Sequence, residues 1–197
     1  MAEFPQREIR DPRVLRALTH PVRLRLIEEL TFGGPATATE LADRVGESPA
    51  NCSWHLRQLA RYGFVEEAGG GSGRQRPWRI VAESNTWGKD DDADAELATA
   101  GDAAAELMVS QEVQALLGWF RARRQEPRDW RDASFVSQTT AWLTVDELDA
   151  VKNTIHGLLY PYLERIGEAD KRPAGARPVR VVAWGIPARP LPPEDPQ

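Results

Sequence analysis

The sequence predicts a mainly α-helical protein with a small β-hairpin in its N-terminal half and a short α+β region near its C-terminus. Three observations lead to this expectation. Four segments between residues 11 and 62 begin with helix-start signals and carry inward apolar positions. A Gly-rich stretch between two β-prone segments follows at 64–81. A longer segment with a weak apolar stripe then extends from Ala93 to Arg124.

Proline at the first helical position marks the first two helices. Asp11 is the predicted N-cap of a helix that begins at Pro12, and Pro21 opens the second helix. The Gly-Gly-Pro run at 33–35 ends the second helix. The residues expected to face inward are Val14, Leu15, Leu18, Val22, Leu24, Leu26, Ile27 and Leu30.

The third and fourth helices are predicted from their caps and the turn between them. Thr37 or Thr39 caps the third helix, Gly46 makes the turn, and Ser48 caps the fourth helix with Pro49 at its first position. The predicted inward residues are Leu41, Ala42 and Val45 in the third helix, and Cys52, Leu56 and Leu59 in the fourth.

A two-stranded hairpin is expected after the fourth helix. Residues 64–67 and 77–81 are predicted strands, and the Gly-rich residues 69–73 form a flexible tip between them. The polar residues 1–10 are expected to be loose, and the acidic residues 83–92 are expected to form a linker.

The C-terminal third has a different pattern. Residues 134–143 and 179–186 are predicted strands that flank a helix, which begins at a capping box of Thr144 and Glu147. Pro161 is expected to kink that helix. The inward residues of the helix are predicted to be Leu148, Val151, Ile155, Leu158, Leu159, Tyr162 and Ile166.

Composition and charge limit the classes of function. The formal net charge is −5, but residues 1–80 carry 12 basic and 10 acidic residues, against 13 and 20 in residues 81–197. A mildly basic head on an acidic body is compatible with local DNA contact. Cys52 is the only cysteine, which excludes an intramolecular disulfide. Without a signal-peptide core or an apolar span, a cytoplasmic protein with no membrane partner is expected.

Four motifs in order resemble the winged helix-turn-helix of the ArsR family of transcription regulators. They are His20-Pro21-x-Arg23, the run Thr39-Glu40-Leu41-Ala42, Ser53-x-His55-Leu56-Arg57-x-Leu59, and Gly63-Phe64-Val65 leading into the wing. The resemblance covers about residues 11–81. It implies that the helix at 48–62 lies in the DNA major groove and that the wing at 66–80 contacts the backbone or the minor groove.

The resemblance and the outward positions of the fourth helix define the candidate DNA-binding residues. Asn51 is suited to adenine and Arg57 to guanine or phosphate. Trp54 is expected either to contact thymine methyls or sugars, or to pack on a neighbouring helix. Arg23 and Arg25 are expected to contact phosphate or to form surface ion pairs. The full candidate set is Ser48, Pro49, Ala50, Asn51, Ser53, Trp54, Arg57, Arg74 and Arg76.

The sequence departs from the metal-sensing members of this family. It has one cysteine and three histidines, and the third helix lacks a Cys-x-Cys pair. Because metal sites need several convergent ligands, we expect neither a metal nor another cofactor. His20 is interpreted as a helix-start residue packed against the core, and Cys52 as a small buried hydrophobe, with a redox switch as the less favoured alternative.

The segments outside the DNA-binding unit are expected to mediate dimerisation or sensing. Residues 93–119, joined by Val14, Leu15 and Leu18, are the candidate two-fold interface, and a core helix is the alternative. In the C-terminal region the aromatic residues either line a pocket for a small-molecule effector or fill a small core or dimer contact. These aromatic residues are Phe135, Trp142, Tyr160, Tyr162 and Trp184.

We therefore predict a homodimeric, sequence-specific DNA-binding transcription regulator that acts as a repressor. An enzyme is not expected, since the sequence contains no nucleophile elbow, phosphate loop or metal-hydrolase motif. The alternatives are a winged-helix protein-interaction module and a regulator whose C-terminal domain binds a ligand. The predicted domains are a DNA-binding domain at 11–82, a dimerisation helix at 93–124, a small α+β domain at 127–188 and a disordered tail at 189–197.

Overall fold

A computed structural model describes residues 6–69, 76–81, 83–88 and 94–189. Its helices are α1 (Pro12–Leu18), α2 (Pro21–Gly33), α3 (Ala38–Val45), α4 (Pro49–Arg61), α5 (Ala95–Ala122), α6 (Arg128–Ala133) and α7 (Val145–Gly167). Its strands are β1 (Gln6–Glu8), β2 (Val65–Glu67), β3 (Trp78–Ile80) and β4 (Ser84–Thr86). One-turn 3-10 helices lie at Arg123–Gln125 and Ala169–Lys171. Among the described residues, no helix is both long enough and apolar enough to cross a membrane.

The predicted helix starts are confirmed. The side chain of Asp11 accepts a hydrogen bond from the Arg13 amide at the start of α1. At the start of α3 the cap is Thr37, not Thr39, because Thr37 and Glu40 form a reciprocal capping box. Gly46 ends α3 with a φ of 68°, a left-handed conformation that glycine adopts without steric cost.

The buried core lies among α1 to α4, β2 and the first part of α5. Nearly all predicted inward residues of the first four helices are buried, and Ile27 packs against the cluster partly exposed. The largest fully buried side chains are Leu15, Leu26, Leu30, Leu41, Leu56, Leu59, Val65 and Cys52. The apolar stripes read from the sequence therefore meet in one core.

Two small sheets accompany this core. Strands β2 and β3 pair antiparallel, with Val65 opposite Ile80 and Glu67 opposite Trp78, which confirms the predicted hairpin. The tip residues 70–73 and Arg74 lie outside the described part of the chain. Strand β1 pairs in parallel with β4, so residues 6–8 are not loose, and residues 84–86 of the expected linker are a strand.

Helix α5 covers most of the long predicted helix. Asp94 accepts hydrogen bonds from the amides of Glu96 and Leu97, which fixes its first turn. Leu97, Ala100, Gly101 and Ala104 are buried. Gly101 lies against Trp87, where a Cβ atom would come within 2.9 Å of the indole Cδ1.

The two predicted C-terminal strands are wrong for the single chain. Residues 134–143 and 179–186 form no strand, so α6 and α7 are the only regular elements in the described residues 127–188 besides the 3-10 turn. β-Prone segments need a partner strand to satisfy their backbone groups, and local sequence cannot supply one. The capping box of Thr144 and Glu147 at the start of α7 is confirmed.

The chain divides into two compact units, one of residues 1–111 and 160–178 and one of residues 112–159 and 179–197. Phe135, Trp142 and Trp184 in the second unit are 75%, 102% and 64% exposed. Neither the aromatic pocket nor the small αβ core expected there is therefore formed by these side chains. The predicted tail beyond residue 189 lies outside the described residues.

Candidate nucleic-acid interface

The start of α4 is built to hold a rigid, exposed first turn. The Oγ of Ser48 accepts a hydrogen bond of 3.2 Å from the Asn51 amide, and Pro49 occupies the first helical position. An N-terminal cap of this kind satisfies one of the amides that have no partner within the helix. The side chains that follow are therefore presented on an ordered backbone.

The two faces of α4 separate as the sequence predicted. Cys52, Leu56 and Leu59 are fully buried, and His55 is also buried with 3% exposure. On the opposite face, Ser48, Pro49, Ala50, Trp54 and Arg57 are exposed, while Asn51 and Ser53 are half-buried. The candidate residues of α4 thus lie together on one accessible face.

Asn51 is held by a contact that the sequence did not suggest. Its Nδ2 donates a 2.9 Å hydrogen bond to Glu47 Oε2, and the other Glu47 oxygen lies 3.2 Å from Arg25. Arg25 also donates to the Val45 carbonyl oxygen at 2.6 Å. Arg25 therefore forms an ion pair, and Glu47 links α2 to the first turn of α4.

Arg57 rests along its own helix. Its Nη2 donates to the Ser53 Oγ at 2.8 Å and its Nε donates to the Ser53 carbonyl oxygen at 3.1 Å. Arg57 is exposed to solvent, and hydrogen bonds at such a position contribute little to stability because water competes for the same donors. Rotation of the side chain away from the helix releases all of its donors for a nucleic-acid acceptor.

Trp54 is 53% exposed, and its ring meets the His55 ring edge-on with centroids 4.7 Å apart. The other neighbour of His55 is His20, at 4.4 Å between ring centroids. His20 is the N-cap of α2, since its Nδ1 accepts from the Val22 amide at 3.2 Å, which confirms it as a helix-start residue. This ring cluster joins the exposed face of α4 to the start of α2.

His55 is a buried residue that the sequence analysis did not select, although it lies on the inward side between Cys52 and Leu59. Burial lowers the pKa of its imidazole, and His20 and Arg23 lower it further, while Glu47 acts in the opposite direction. The His55 Nδ1 and the Arg23 Nε are buried without a hydrogen-bond partner among the described residues. A neutral His55 beside the Arg23 guanidinium is thus the favoured state.

The described part of the wing is balanced in charge. Arg76 pairs with Glu67 at 2.7 Å, which raises the pKa of Arg76, and Arg79 pairs with Glu66 at 2.7 Å. All four side chains are substantially exposed, so such pairs are worth little and exchange readily for phosphate contacts. The other predicted wing residue, Arg74, lies outside the described residues.

Cys52 and the histidines do not form a metal centre in the described part of the chain, where no cluster of three or more ligand residues is found. Burial raises the pKa of the Cys52 thiol, and Glu47 adds to that effect. A fully buried cysteine with a raised pKa behaves as a packing residue, as expected from the sequence.

A capped helix presented by a supporting helix after a glycine turn, and followed by a β-hairpin, defines a winged helix-turn-helix domain. Residues 18–68 match a family of helix-turn-helix domains, which confirms this part of the prediction. The match spans α2 to β2 and leaves the C-terminal region outside it.

Several solved structures are similar to the chain. One is a homodimeric winged helix-turn-helix DNA-binding domain from Mycobacterium bovis, described as a possible ArsR-family transcriptional regulator, with 24% identity over 52% of this chain and 75% of that one and a TM-score of 0.33. An ArsR-like transcriptional regulator from Rhodococcus has 22% identity over 56% and 90% of the two chains, with a TM-score of 0.31. A Thermotoga maritima transcriptional regulator has 13% identity over 77% and 84%, with a TM-score of 0.31. No curated protein matches the sequence significantly.

Proposed function

We propose that this protein is a dimeric, sequence-specific DNA-binding transcription regulator, not an enzyme, that binds an inverted repeat and acts as a repressor by occluding a promoter. One observation carries the proposal: α4 buries one face completely and presents a polar, exposed face from its capped first turn. A helix of this form fits the major groove with its N-terminal residues against base edges.

The side chains on that face have the chemistry for two kinds of contact. Arg57 can form a bidentate contact with guanine, and Asn51 with adenine once its amide leaves Glu47. Ser48, Pro49, Ala50, Ser53 and Trp54 complete the surface, with the serine hydroxyls suited to phosphate and the exposed indole to thymine methyls or sugars. Arg74 and Arg76 of the wing are the proposed backbone or minor-groove contacts.

Glu47 adds a condition to DNA binding. Its carboxylate lies beside the proposed groove face and holds both Arg25 and Asn51. Because a carboxylate repels phosphate, DNA binding is more favourable when Glu47 keeps its ion pair with Arg25 and gives up its hydrogen bond with Asn51. We expect Glu47 to influence which base is read at the Asn51 position.

The dimer is proposed to form through the second half of α5. The first half is a core helix, since Leu97, Ala100 and Ala104 are buried in the domain. Val14, Leu15 and Leu18 are also buried in that core, so the expectation that they join the interface is wrong. The exposed apolar residues that remain on α5 are Val109, Val113, Leu116, Leu117 and Phe120. A two-fold pair places two recognition helices about one DNA turn apart.

The test is genome-wide DNA pull-down with the purified protein, followed by titration of a recovered fragment with wild type and Arg57→Ala. We expect an inverted repeat, with affinity for Arg57→Ala reduced by roughly 10- to 100-fold, as for the loss of one base-directed arginine worth about 1–3 kcal/mol. The matched control is Arg128→Ala, whose side chain is 84% exposed and lies outside the winged helix.

The dependence of affinity on salt separates a DNA reader from a protein-interaction module. Binding through several phosphate contacts must weaken steeply as salt rises, because each contact releases condensed counterions. Recovery of no sequence, or affinity that Arg57→Ala and Arg128→Ala leave equally unchanged, would refute the proposed interface.

A further inference from the structure

The second unit, residues 112–159 and 179–197, has no buried core among the residues that the structure describes. None of the residues that the structure describes in it is buried. A folded unit must offset the conformational entropy of its chain by burying apolar surface. The described residues of this unit include many large apolar side chains that face solvent.

Two extended segments, residues 135–143 and 181–186, are the most unusual part of that unit. Both are rich in aromatic and β-branched residues, the composition of strands. Within the described chain, neither segment forms a strand and neither makes a backbone–backbone hydrogen bond. Unpaired edges with apolar side chains are templates for pairing with another chain.

The second extended segment is nevertheless placed and not loose. Arg180, just before it, forms a 2.8 Å ion pair with Glu112 of α5. Within it, Gly185 approaches Leu148 of α7 so closely that a Cβ atom would lie 2.8 Å from the leucine Cδ1. The segment is thus held against α5 and α7, while its backbone amides and carbonyls remain free to pair with another strand.

The exposed apolar area has the size of a dimer interface. Phe135, Trp142 and Trp184 alone expose about 500 Å², at roughly 200 Å² for a whole aromatic side chain. A standard interface covers about 800 Å² on each partner. The exposed valines and isoleucine of these segments bring the total into that range.

We propose that the two extended segments pair as β-strands with those of a second copy of this chain, so that the core of the second unit exists only in the dimer. This inference rests on the dimeric part of the proposed function. We choose a second copy of this chain as the partner because each copy carries both unpaired strand edges and exposed apolar side chains. Two copies related by a two-fold axis can therefore pair their edges and cover each other's apolar side chains.

Hydrogen–deuterium exchange on the full-length protein tests the pairing directly. Amides of residues 135–143 and 181–186 have no backbone partner in the part of the chain that the structure describes, so in a monomer they should exchange at the rate of an unfolded peptide. In the paired state we expect exchange slowed by roughly 100-fold or more. Because the partner is another molecule, the protection must grow with protein concentration in step with the dimer mass measured by light scattering.

Two variants locate the interface, and a third is the matched control. Trp142→Glu places a charge on a fully exposed residue, and Val182→Pro removes a strand amide. Both should lose the protection and shift the monomer–dimer equilibrium towards the monomer, with unchanged helical circular dichroism. Trp54→Glu makes the same chemical change at an exposed tryptophan of α4, and should weaken DNA binding while leaving the dimer intact.

The possible failures are distinguishable. A dimer in which the two segments exchange rapidly, and in which Trp142→Glu has no effect on mass, would overturn this inference and leave dimerisation through α5 standing. A monomer at every concentration would overturn both this inference and the dimeric part of the proposed function. A dimer with protected segments that recovers no DNA would support the pairing and refute the regulator.

Discussion

Gly101 and Gly118 lie in the same helix, α5, and the structure assigns opposite consequences to the same substitution at the two positions. At Gly118 an added Cβ meets nothing within 4 Å. At Gly101 it would lie 2.9 Å from Trp87 Cδ1, 3.3 Å from the indole Nε1 and 3.9 Å from Leu15 Cδ1. Trp87 packs against the buried core, so its ring is not the free end of a flexible side chain.

The two free-energy terms can be compared. Alanine in place of glycine inside a helix stabilises it by about 1 kcal/mol, and this gain applies at both positions. Overpacking a filled site costs about 1–3 kcal/mol, and this cost applies only at Gly101. We expect Gly118→Ala to raise the free energy of unfolding by up to about 1 kcal/mol, and Gly101→Ala to lower it by about 1 kcal/mol.

Urea unfolding followed by circular dichroism, with all proteins at one concentration, measures both differences. The informative quantity is the difference in free energy of unfolding between the two variants, about 2 kcal/mol. The gain in helix propensity is common to both variants and cancels, so the difference reports the overpacking against Trp87. If the two alanines raise stability equally, α5 does not press on Trp87, and the reasoning about its packing is wrong.

Three further outcomes are expected. Burial, His20 and Arg23 lower the pKa of His55 in the folded protein below 6.5. As the pH falls, the unfolded chain therefore binds a proton at His55 before the folded protein does. The free energy of unfolding should thus be constant above about pH 7 and fall as the pH drops through 6.5. His55→Gln should flatten that part of a urea-unfolding profile, and an unchanged slope would place the titration elsewhere. Ser48→Ala should lower the free energy of unfolding by about 1 kcal/mol and weaken DNA binding, whereas Ser53→Ala should change stability by less than about 0.5 kcal/mol. The buried Cys52 thiol should react with a disulfide reagent only in denaturant, and rapid labelling of the native protein would contradict its burial.

The N-terminal domain could be read from the sequence because its signals are local. Ser48 followed by Pro49 specifies a helix start without reference to any distant residue. The spacing of Cys52, Leu56 and Leu59 specifies which side of that helix is buried, and hence which side is exposed. The same stripe includes His55, whose buried position follows from helical geometry even though its residue type suggests the surface.

The features that were missed depend on residues far apart in the chain. The parallel pairing of β1 with β4 joins three-residue segments almost eighty positions apart, too short to show a period. The contact of Glu47 with Asn51 and Arg25 depends on how one turn and two helices meet. In residues 134–143 and 179–186 the composition predicts strands that the structure does not contain, because local composition cannot supply the partner strand that a β-prone segment needs.

Strand β1 also determines how much of the chain a functional fragment must contain. The helix-turn-helix match begins at residue 18, yet Arg7 of β1 donates a 2.7 Å hydrogen bond to the Tyr62 carbonyl oxygen at the end of α4. Its guanidinium also lies 5.6 Å from the centre of the Phe64 ring, beyond the turn at Gly63. A fragment cut at the family boundary would lose this contact with the end of α4 and would leave β4 without the strand it pairs with. A fragment that keeps both must contain residues 6–86, and one that also keeps the buried α5 residues Leu97, Ala100 and Ala104 must extend beyond Ala104.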